Sequence, residues 1–128
     1  MARLLIADDD PQVRQLIVRV LQNAGHEVTE AGNGREAVQQ FARTPADVVV
    51  LDMLMPEMDG MAVLKNIRGM EEEAGVQSSN GVKIIMTTAL GDPKNVVVAF
   101  KALCDAYLVK PVNKSKLLDY LRSFGLIS

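Results

Sequence analysis

The chain has 128 residues, which is the length of one ordinary domain. Hydrophobic residues make up 48% and charged residues 23%, so the chain can build a buried core, and its composition excludes intrinsic disorder. A formal net charge of −2 argues against a protein whose main task is to coat nucleic acid or an anionic membrane. Because Cys104 is the single cysteine, an internal disulfide framework is excluded.

The start of the sequence carries no export or anchoring pattern. A few apolar residues precede the acidic run that begins at Asp8, and this segment is too short for a signal peptide or a membrane span. We therefore expect a cytoplasmic protein that forms a single domain over residues 1–128.

Short apolar runs with the length of strands alternate with stretches of helical periodicity. In chain order, the sequence predicts strand 4–7, helix 11–24, strand 27–31, helix 33–43, strand 48–51, helix 60–69, strand 83–87, helix 93–103, strand 106–109 and helix 114–124. Asp10 and Pro11 are typical of a helix start, and Gly25 is typical of a helix end. The polar stretch 71–81 predicts a surface excursion.

The alternation of strand and helix, repeated five times, predicts the fold class. Strands joined by helices require right-handed crossovers, which give a parallel sheet with helices on both faces. The sequence therefore predicts an α/β protein with a doubly wound, five-stranded parallel sheet.

Polar residues that can do chemistry follow four of the predicted strands. They are Asp8 and Asp9, Asp52, Thr88, and Lys110. Ligands of open α/β sheets bind at the carboxyl ends of the strands, so we expect these side chains to meet. Three carboxylates at one spot need a hard cation, which predicts a Mg²⁺ site, and the lysine and hydroxyl supply donors for phosphoryl oxygens. As the isolated acid at the tip of the central strand, Asp52 is the predicted nucleophile.

The motifs at these strand ends are Asp8-Asp9, VVVLDMLMPEMDG over 48–60, Thr88-Ala89, Tyr107 and Lys110-Pro111. In these motifs the chain resembles the receiver domain of two-component response regulators, and the similarity spans essentially the whole sequence. The resemblance implies a flavodoxin-like, CheY-like three-layer sandwich with strand order 2-1-3-4-5.

The same resemblance assigns the phosphoryl chemistry. It implies that Asp52 accepts a phosphoryl group from the phosphohistidine of a histidine kinase and becomes an aspartyl phosphate. It also implies that Asp8, Asp9, Asp52 and the main-chain carbonyl of Leu54 hold Mg²⁺. In this family Lys110 pairs with the phosphoryl oxygens, and the Lys110-Pro111 bond is cis.

The resemblance also implies a switch. Thr88 moves to bond the phosphoryl group, and Tyr107 changes rotamer as the readout. The implied partners are a histidine kinase or a histidine phosphotransfer protein, and a downstream protein that binds the surface of helix 93–103, strand 106–109 and helix 114–124. A phosphorylation-dependent homodimer is a further form of contact, whereas nucleic acid binding and membrane insertion are not expected.

Such a domain takes part in its own phosphorylation and slow autodephosphorylation, but it is primarily a signalling protein. A motor-binding chemotaxis protein and a phosphorelay intermediate both fit this class. The alternative function, from a different functional class, is that of a pseudo-receiver. A pseudo-receiver is a protein-interaction module that keeps the receiver fold but takes no phosphoryl group. Retention of every site residue argues against it.

Two enzyme classes share part of the pattern. The segment 32–37 fits the dinucleotide-binding outline G-x-G-x-x-A, but it follows an edge strand and leaves Lys110 unexplained, so Asn33 is predicted to be a helix cap. Phosphatases of the haloacid dehalogenase type also use a strand-end Asp, but they need a second Asp two residues later, where this chain has Leu54.

Two hypotheses concern apolar residues near the site. Leu54 and Leu90 lie two residues after Asp52 and Thr88, positions that in the receiver family flank the route of the hydrolytic water. The resemblance therefore implies that two leucines there position this water poorly, which predicts a long-lived phosphorylated state. Val97 and Val98 lie on the face of helix 93–103 opposite its predicted core face, which suggests a docking site.

Overall fold

The computed structural model describes residues 2–55, 57–76, 81–88, 98, 101 and 104–126. Its strands are β1 (Arg3–Ala7), β2 (Glu27–Ala31), β3 (Val48–Asp52), β4 (Lys83–Thr88) and β5 (Ala106–Val109). Its described helices are α1 (Pro11–Asn23), α2 (Gly34–Arg43), α3 (Gly60–Glu73) and the C-terminal helix α4 (Lys114–Ser123). The predicted strands and these helices are thus present, most with ends shifted by one residue.

The five strands form one parallel sheet in the order β2-β1-β3-β4-β5. This confirms the doubly wound α/β fold and the strand order that the family resemblance implies. All strands run in the same direction, so the ends of β1, β3, β4 and β5 lie along one edge of the sheet. The motif at 32–37 follows the edge strand β2 and begins α2, with Asn33 as its N-cap.

Alternating side chains of the strands build two cores. Leu5, Val49 and Ile84 contribute to one core, which also contains buried residues of α2 and α3. Leu4, Val50 and Ile85 contribute to the other, with buried residues of α1 and α4. Because both faces are covered, every residue of β3 is buried, and this central strand is a rigid support for the residue at its end.

Short polar side chains begin the helices as the sequence predicts. Asp10 accepts hydrogen bonds from the main-chain N–H groups of Gln12 and Val13, and Pro11 is the first residue of α1. At the other end of α1, Gly25 has a φ of 89°, a conformation that glycine adopts without strain.

The predicted end of α3 at Gly69 is wrong, because the helix continues to Glu73. Arg68 and Glu71, three residues apart, form an ion pair of 2.7 Å that bridges this glycine. The Glu71 carboxylate also accepts from the main-chain N–H of Val82, at 2.6 Å. The first residues of the predicted surface excursion are therefore helical, and Glu71 is largely buried.

The predicted helix over 93–103 lies outside the described residues except for Val98 and Lys101, which are both exposed. Ala89, Leu90 and Val97 also lie outside the described residues. None of the helices in the described ranges has the length and apolarity needed to span a lipid bilayer.

Candidate functional site

Three acidic side chains meet at the edge where β1 and β3 end. Asp8 and Asp9 directly follow β1, and Asp52 is the last residue of β3. Each offers a carboxylate oxygen, and these oxygens lie within 4.8 Å of one another. Asp8 and Asp52 are buried, whereas Asp9 is exposed. The cluster therefore opens to solvent on the Asp9 side.

Lys110, which directly follows β5, joins this cluster. Its Nζ lies 2.9 Å from Asp8 Oδ2 and 3.3 Å from Asp52 Oδ2, and the lysine side chain is 18% exposed. Its main-chain N–H donates to the carbonyl of Thr88 at 2.6 Å, and the Lys110-Pro111 bond is cis, as the resemblance implies. The structure thus brings residues from three strand ends into direct contact.

The site holds more negative charge than one lysine neutralises. Burial and the nearby charge of Asp8 raise the pKa of Asp52 to about 6, although Lys110 and the main-chain N–H of Leu54 oppose the shift. Burial disfavours the charged form of Lys110, but the hydrogen bonds and charges of Asp8 and Asp52 outweigh it and raise its pKa. The lysine is therefore firmly cationic, and an added positive charge would be favourable.

The residues present fit a hard divalent cation. Asp8 Oδ2 is buried, and its contact among the described residues is the Lys110 ammonium at 2.9 Å, which it shares with Asp52. Three carboxylates that share one cation match the all-oxygen ligand set of Mg²⁺. Asp8, Asp9 and Asp52 are the side chains that could hold such an ion.

Leu54 lies beside this group. Its main-chain N–H lies 3.3 Å from Asp52 Oδ1, and the residue is 72% exposed. The assignment of its main-chain carbonyl as a metal ligand stays a prediction.

The predicted switch residues lie on β4 and β5. Thr87 and Thr88 are both buried, and Thr88 pairs with Val109, next to Lys110. Tyr107 packs against the core shared with α2 and α3, and its buried hydroxyl makes no hydrogen bond to the described residues. The switching roles of Thr88 and Tyr107 stay predictions.

Sequence reasoning missed two residues beside the acidic cluster, Arg14, which contacts Asp8, and Glu30, which contacts Arg14. Arg14 of α1 donates to the main-chain carbonyl of Asp8 at 2.6 Å and to Glu30 of β2 at 3.0 Å. A weak signal was available, because Arg14 lies one helical turn after the cap Asp10 and so extends from the same end of α1.

The chain is similar to known proteins over nearly its whole length. Residues 4–122 match the family model of the response regulator receiver domain. Chemotaxis protein CheY of Thermotoga maritima is 36% identical over 93% of each chain. The probable transcriptional regulator ycf27 of Guillardia theta is 34% identical over 94% of this chain, which corresponds to 44% of that protein.

Solved structures give the same result. Chemotaxis protein CheY4 of Vibrio cholerae has a TM-score of 0.84 and 32% identity, and the match covers 96% of this chain and 98% of that one. A putative response regulator from Chloroflexus aurantiacus has a TM-score of 0.84 and 33% identity, with 95% of each chain covered. Sequence, fold and the arrangement of the strand-end residues agree, and the chain belongs to the response regulator receiver domain family.

Proposed function

We propose that this receiver accepts a phosphoryl group on Asp52 and thereby changes a protein-binding surface. The proposal rests on one observation above all, that the buried Asp52 carboxylate shares the Lys110 ammonium with Asp8 at the carboxyl ends of three strands. A carboxylate nucleophile beside a fixed cation is the arrangement that phosphoryl transfer needs.

Asp52 is better suited to be the nucleophile than its acidic neighbours. Asp8 Oδ1 already accepts a hydrogen bond from the main-chain N–H of Asp10 at 2.9 Å, which holds that side chain in place. Asp9 is exposed and lies on no strand. Asp52 ends the fully buried strand β3, so its carboxylate has the most rigid support of the three.

The donor is the phosphohistidine of a histidine kinase or a histidine phosphotransfer protein. An oxygen of the Asp52 carboxylate forms the new bond to phosphorus as the phosphorus–nitrogen bond breaks. The departing imidazole keeps the electron pair of that bond and takes a proton from solvent. Lys110 and the Thr88 hydroxyl donate to the phosphoryl oxygens, whose charge they stabilise.

The metal requirement follows from the charge of the site. Asp8, Asp9 and Asp52, with the main-chain carbonyl of Leu54, would hold Mg²⁺. The ion supplies positive charge against the carboxylates and the incoming phosphoryl oxygens. Without it, the approach of a phosphoryl dianion to this acidic cluster is electrostatically unfavourable.

The output is a shift between two states of the surface formed by the predicted helix 93–103, β5 and α4. Thr88 and Tyr107 would link the phosphoryl group to this surface. A groove of about 650 Å³ lies on it, lined by residues that include Tyr107, Lys116 and Tyr120. We place the output in protein contact, with a downstream protein or a second copy as the binding partner, and the relatives include proteins named as chemotaxis proteins.

The test is intact mass spectrometry after incubation with acetyl phosphate, with and without Mg²⁺. The proposal predicts one added phosphoryl group in the wild type, dependent on Mg²⁺, and none in Asp52→Asn. Asp119→Asn is the matched control, because Asp119 is an exposed acid of α4 paired with Arg122. A folded wild-type protein that binds Mg²⁺ and takes no phosphoryl group would support the pseudo-receiver instead.

A further inference from the structure

Arg14 makes two hydrogen bonds that point in different directions. Its Nη1 donates to the main-chain carbonyl of Asp8 at 2.6 Å, and its Nε donates to Glu30 Oε1 at 3.0 Å. The Arg14 side chain is 18% exposed, so water screens these charged contacts less than at an open surface. One guanidinium thus links α1, β2 and the acidic cluster.

The carbonyl that Arg14 binds belongs to the peptide group that joins Asp8 to Asp9. β1 ends at Ala7, and the last sheet contact of this segment is the hydrogen bond from the Asp8 N–H to the Ala31 carbonyl at 3.1 Å. Beyond that point Arg14 holds the carbonyl of the Asp8–Asp9 peptide, while the Asp8 side chain is held separately by the Asp10 N–H. Rotation of this planar peptide group would change the backbone torsions on both sides of it and so redirect the Asp9 side chain relative to Asp8.

We propose that Arg14 is a positioning residue for the metal site, and that Glu30 fixes Arg14 in turn. This inference rests on the proposed function, because the ion concerned is the one assigned to Asp8, Asp9 and Asp52. It adds two residues outside the ligand set, one of them on the edge strand β2.

The geometry requires arginine in particular. A guanidinium presents N–H donors in a fixed fork, so it can bond Glu30 and the Asp8 carbonyl at once in a defined relative direction. A lysine has one nitrogen on a flexible stem and cannot reproduce both directions. The bond to the carbonyl is charge-assisted, which makes it stronger than a neutral hydrogen bond.

A purely electrostatic role for Arg14 makes the opposite prediction from a positioning role. A positive charge near the cluster repels Mg²⁺, so its removal alone would tighten Mg²⁺ binding. Loss of positioning would weaken binding, because Asp8 and Asp9 would no longer be held toward the same ion. The direction of change in Arg14→Gln therefore distinguishes the two roles.

The experiment is a Mg²⁺ titration followed by amide chemical shifts in two-dimensional NMR, together with thermal melting of each metal-free variant. We expect Arg14→Gln, Arg14→Lys and Glu30→Gln each to raise the Kd for Mg²⁺ by about tenfold. The matched controls are Arg3→Gln and Glu27→Gln, which break an ion pair of the same kind on β1 and β2, with both side chains more than half exposed. We expect the controls to bind Mg²⁺ like the wild type.

The metal-free protein gives a second readout. We expect the Asp9 amide hydrogen to exchange faster in the Arg14 and Glu30 variants than in the control variants, because the Asp8–Asp9 peptide is less restrained. Variants with equal melting temperatures are compared, so that a difference in overall stability does not explain the faster exchange. Unchanged Mg²⁺ affinity or tighter binding in Arg14→Gln would overturn the inference while leaving the metal site intact. A wild type that does not bind Mg²⁺, or that binds it equally well as Asp52→Asn, would overturn the proposed site and the inference together.

Discussion

Gly60 lies directly against the main-chain carbonyl of Asp52. A methyl group at this position would overlap the carbonyl oxygen, and the neighbouring Met53 Cα would also be too close. Gly60 is the first residue of α3, and its main-chain N–H donates to the Met53 carbonyl at 3.0 Å. The start of α3 therefore forms one wall of the segment that carries the proposed nucleophile.

We predict that Gly60→Ala destabilises the protein by about 1–3 kcal/mol, because the backbone of either α3 or β3 has to move. The same movement should displace Asp52 and slow phosphorylation by acetyl phosphate. Gly69→Ala is the control, since nothing lies within 4 Å of a methyl group there and Gly69 is inside a helix. It should stabilise the protein by about 0.5–1 kcal/mol in urea unfolding. Equal stability of the Gly60→Ala and Gly69→Ala variants would contradict the close contact between Gly60 and the Asp52 carbonyl.

Glu57 has a φ of 69°, in the left-handed region that favours glycine and asparagine. We predict that Glu57→Gly raises the free energy of unfolding by about 1 kcal/mol, because it removes the conformational strain of a side chain in this region. The contrasting variant is Lys65→Gly, at an exposed position in the middle of α3, which should lower the free energy of unfolding by about 1 kcal/mol. Urea unfolding measures both changes, and a loss of stability in Glu57→Gly would refute the assignment of strain.

His26 predicts acid sensitivity of the fold. Its side chain is buried, Nδ1 accepts from the Ala2 N–H at 3.1 Å, and burial lowers its pKa below the ordinary 6.5. Below the unfolded-state pKa the unfolded chain binds a proton that the folded protein resists. Stability is therefore constant above that pKa and falls as the pH drops toward the lower folded-state pKa.

The test of His26 compares urea unfolding at about pH 7.5 and about pH 5.5. His26→Asn keeps an acceptor near the Ala2 N–H but has no titrating group. We expect it to lose less stability than the wild type between the two pH values. The comparison cancels the opposite contribution of Asp52, whose raised pKa favours the folded metal-free form as the pH falls. An identical loss in both proteins would rule out the His26 contribution.

We predict that Leu54 lengthens the lifetime of the phosphorylated state. Its exposed side chain lies two residues after Asp52 and offers a water molecule no hydrogen bond. Leu54→Asn supplies a donor and an acceptor at the same position and should shorten the lifetime several-fold, measured as loss of the phosphoryl mass with time. Val76→Asn, an exposed apolar residue after α3, is the control. An unchanged lifetime in Leu54→Asn would count against water exclusion by this residue.

Most elements of the fold were predictable because their signals are local. Asp10 as a cap, Pro11 at the first helical position and Gly25 in a positive φ each act within one turn of the chain. The end of α3 was not predictable, because the contact of Glu71 with Val82 comes from outside the helix. The strand order came from the family resemblance, since periodicity alone does not determine which strands are neighbours.

The site was predictable to the extent that sheet geometry dictates it. Parallel strands end at the same edge, and the strand order that the resemblance implies places the ends of β1, β3 and β5 near enough for Asp8, Asp52 and Lys110 to meet. Arg14 and Glu30 escaped prediction, because the position of Arg14 one turn after Asp10 places it at the same end of α1 as the acidic cluster but does not identify its partners on other elements. Side-chain contacts of this kind depend on the three-dimensional path of the chain.

The central claim, that Asp52 is the phosphoryl acceptor among the three clustered acids, is tested most directly by locating the modified residue. Borohydride reduces an aspartyl phosphate to homoserine, and tandem mass spectrometry of the tryptic peptides then identifies its position. We predict homoserine at residue 52 in the peptide 44–65 after treatment with acetyl phosphate and Mg²⁺, and unmodified acids in the peptide 4–14. Homoserine at residue 8 or 9, or none in either peptide, would contradict the account.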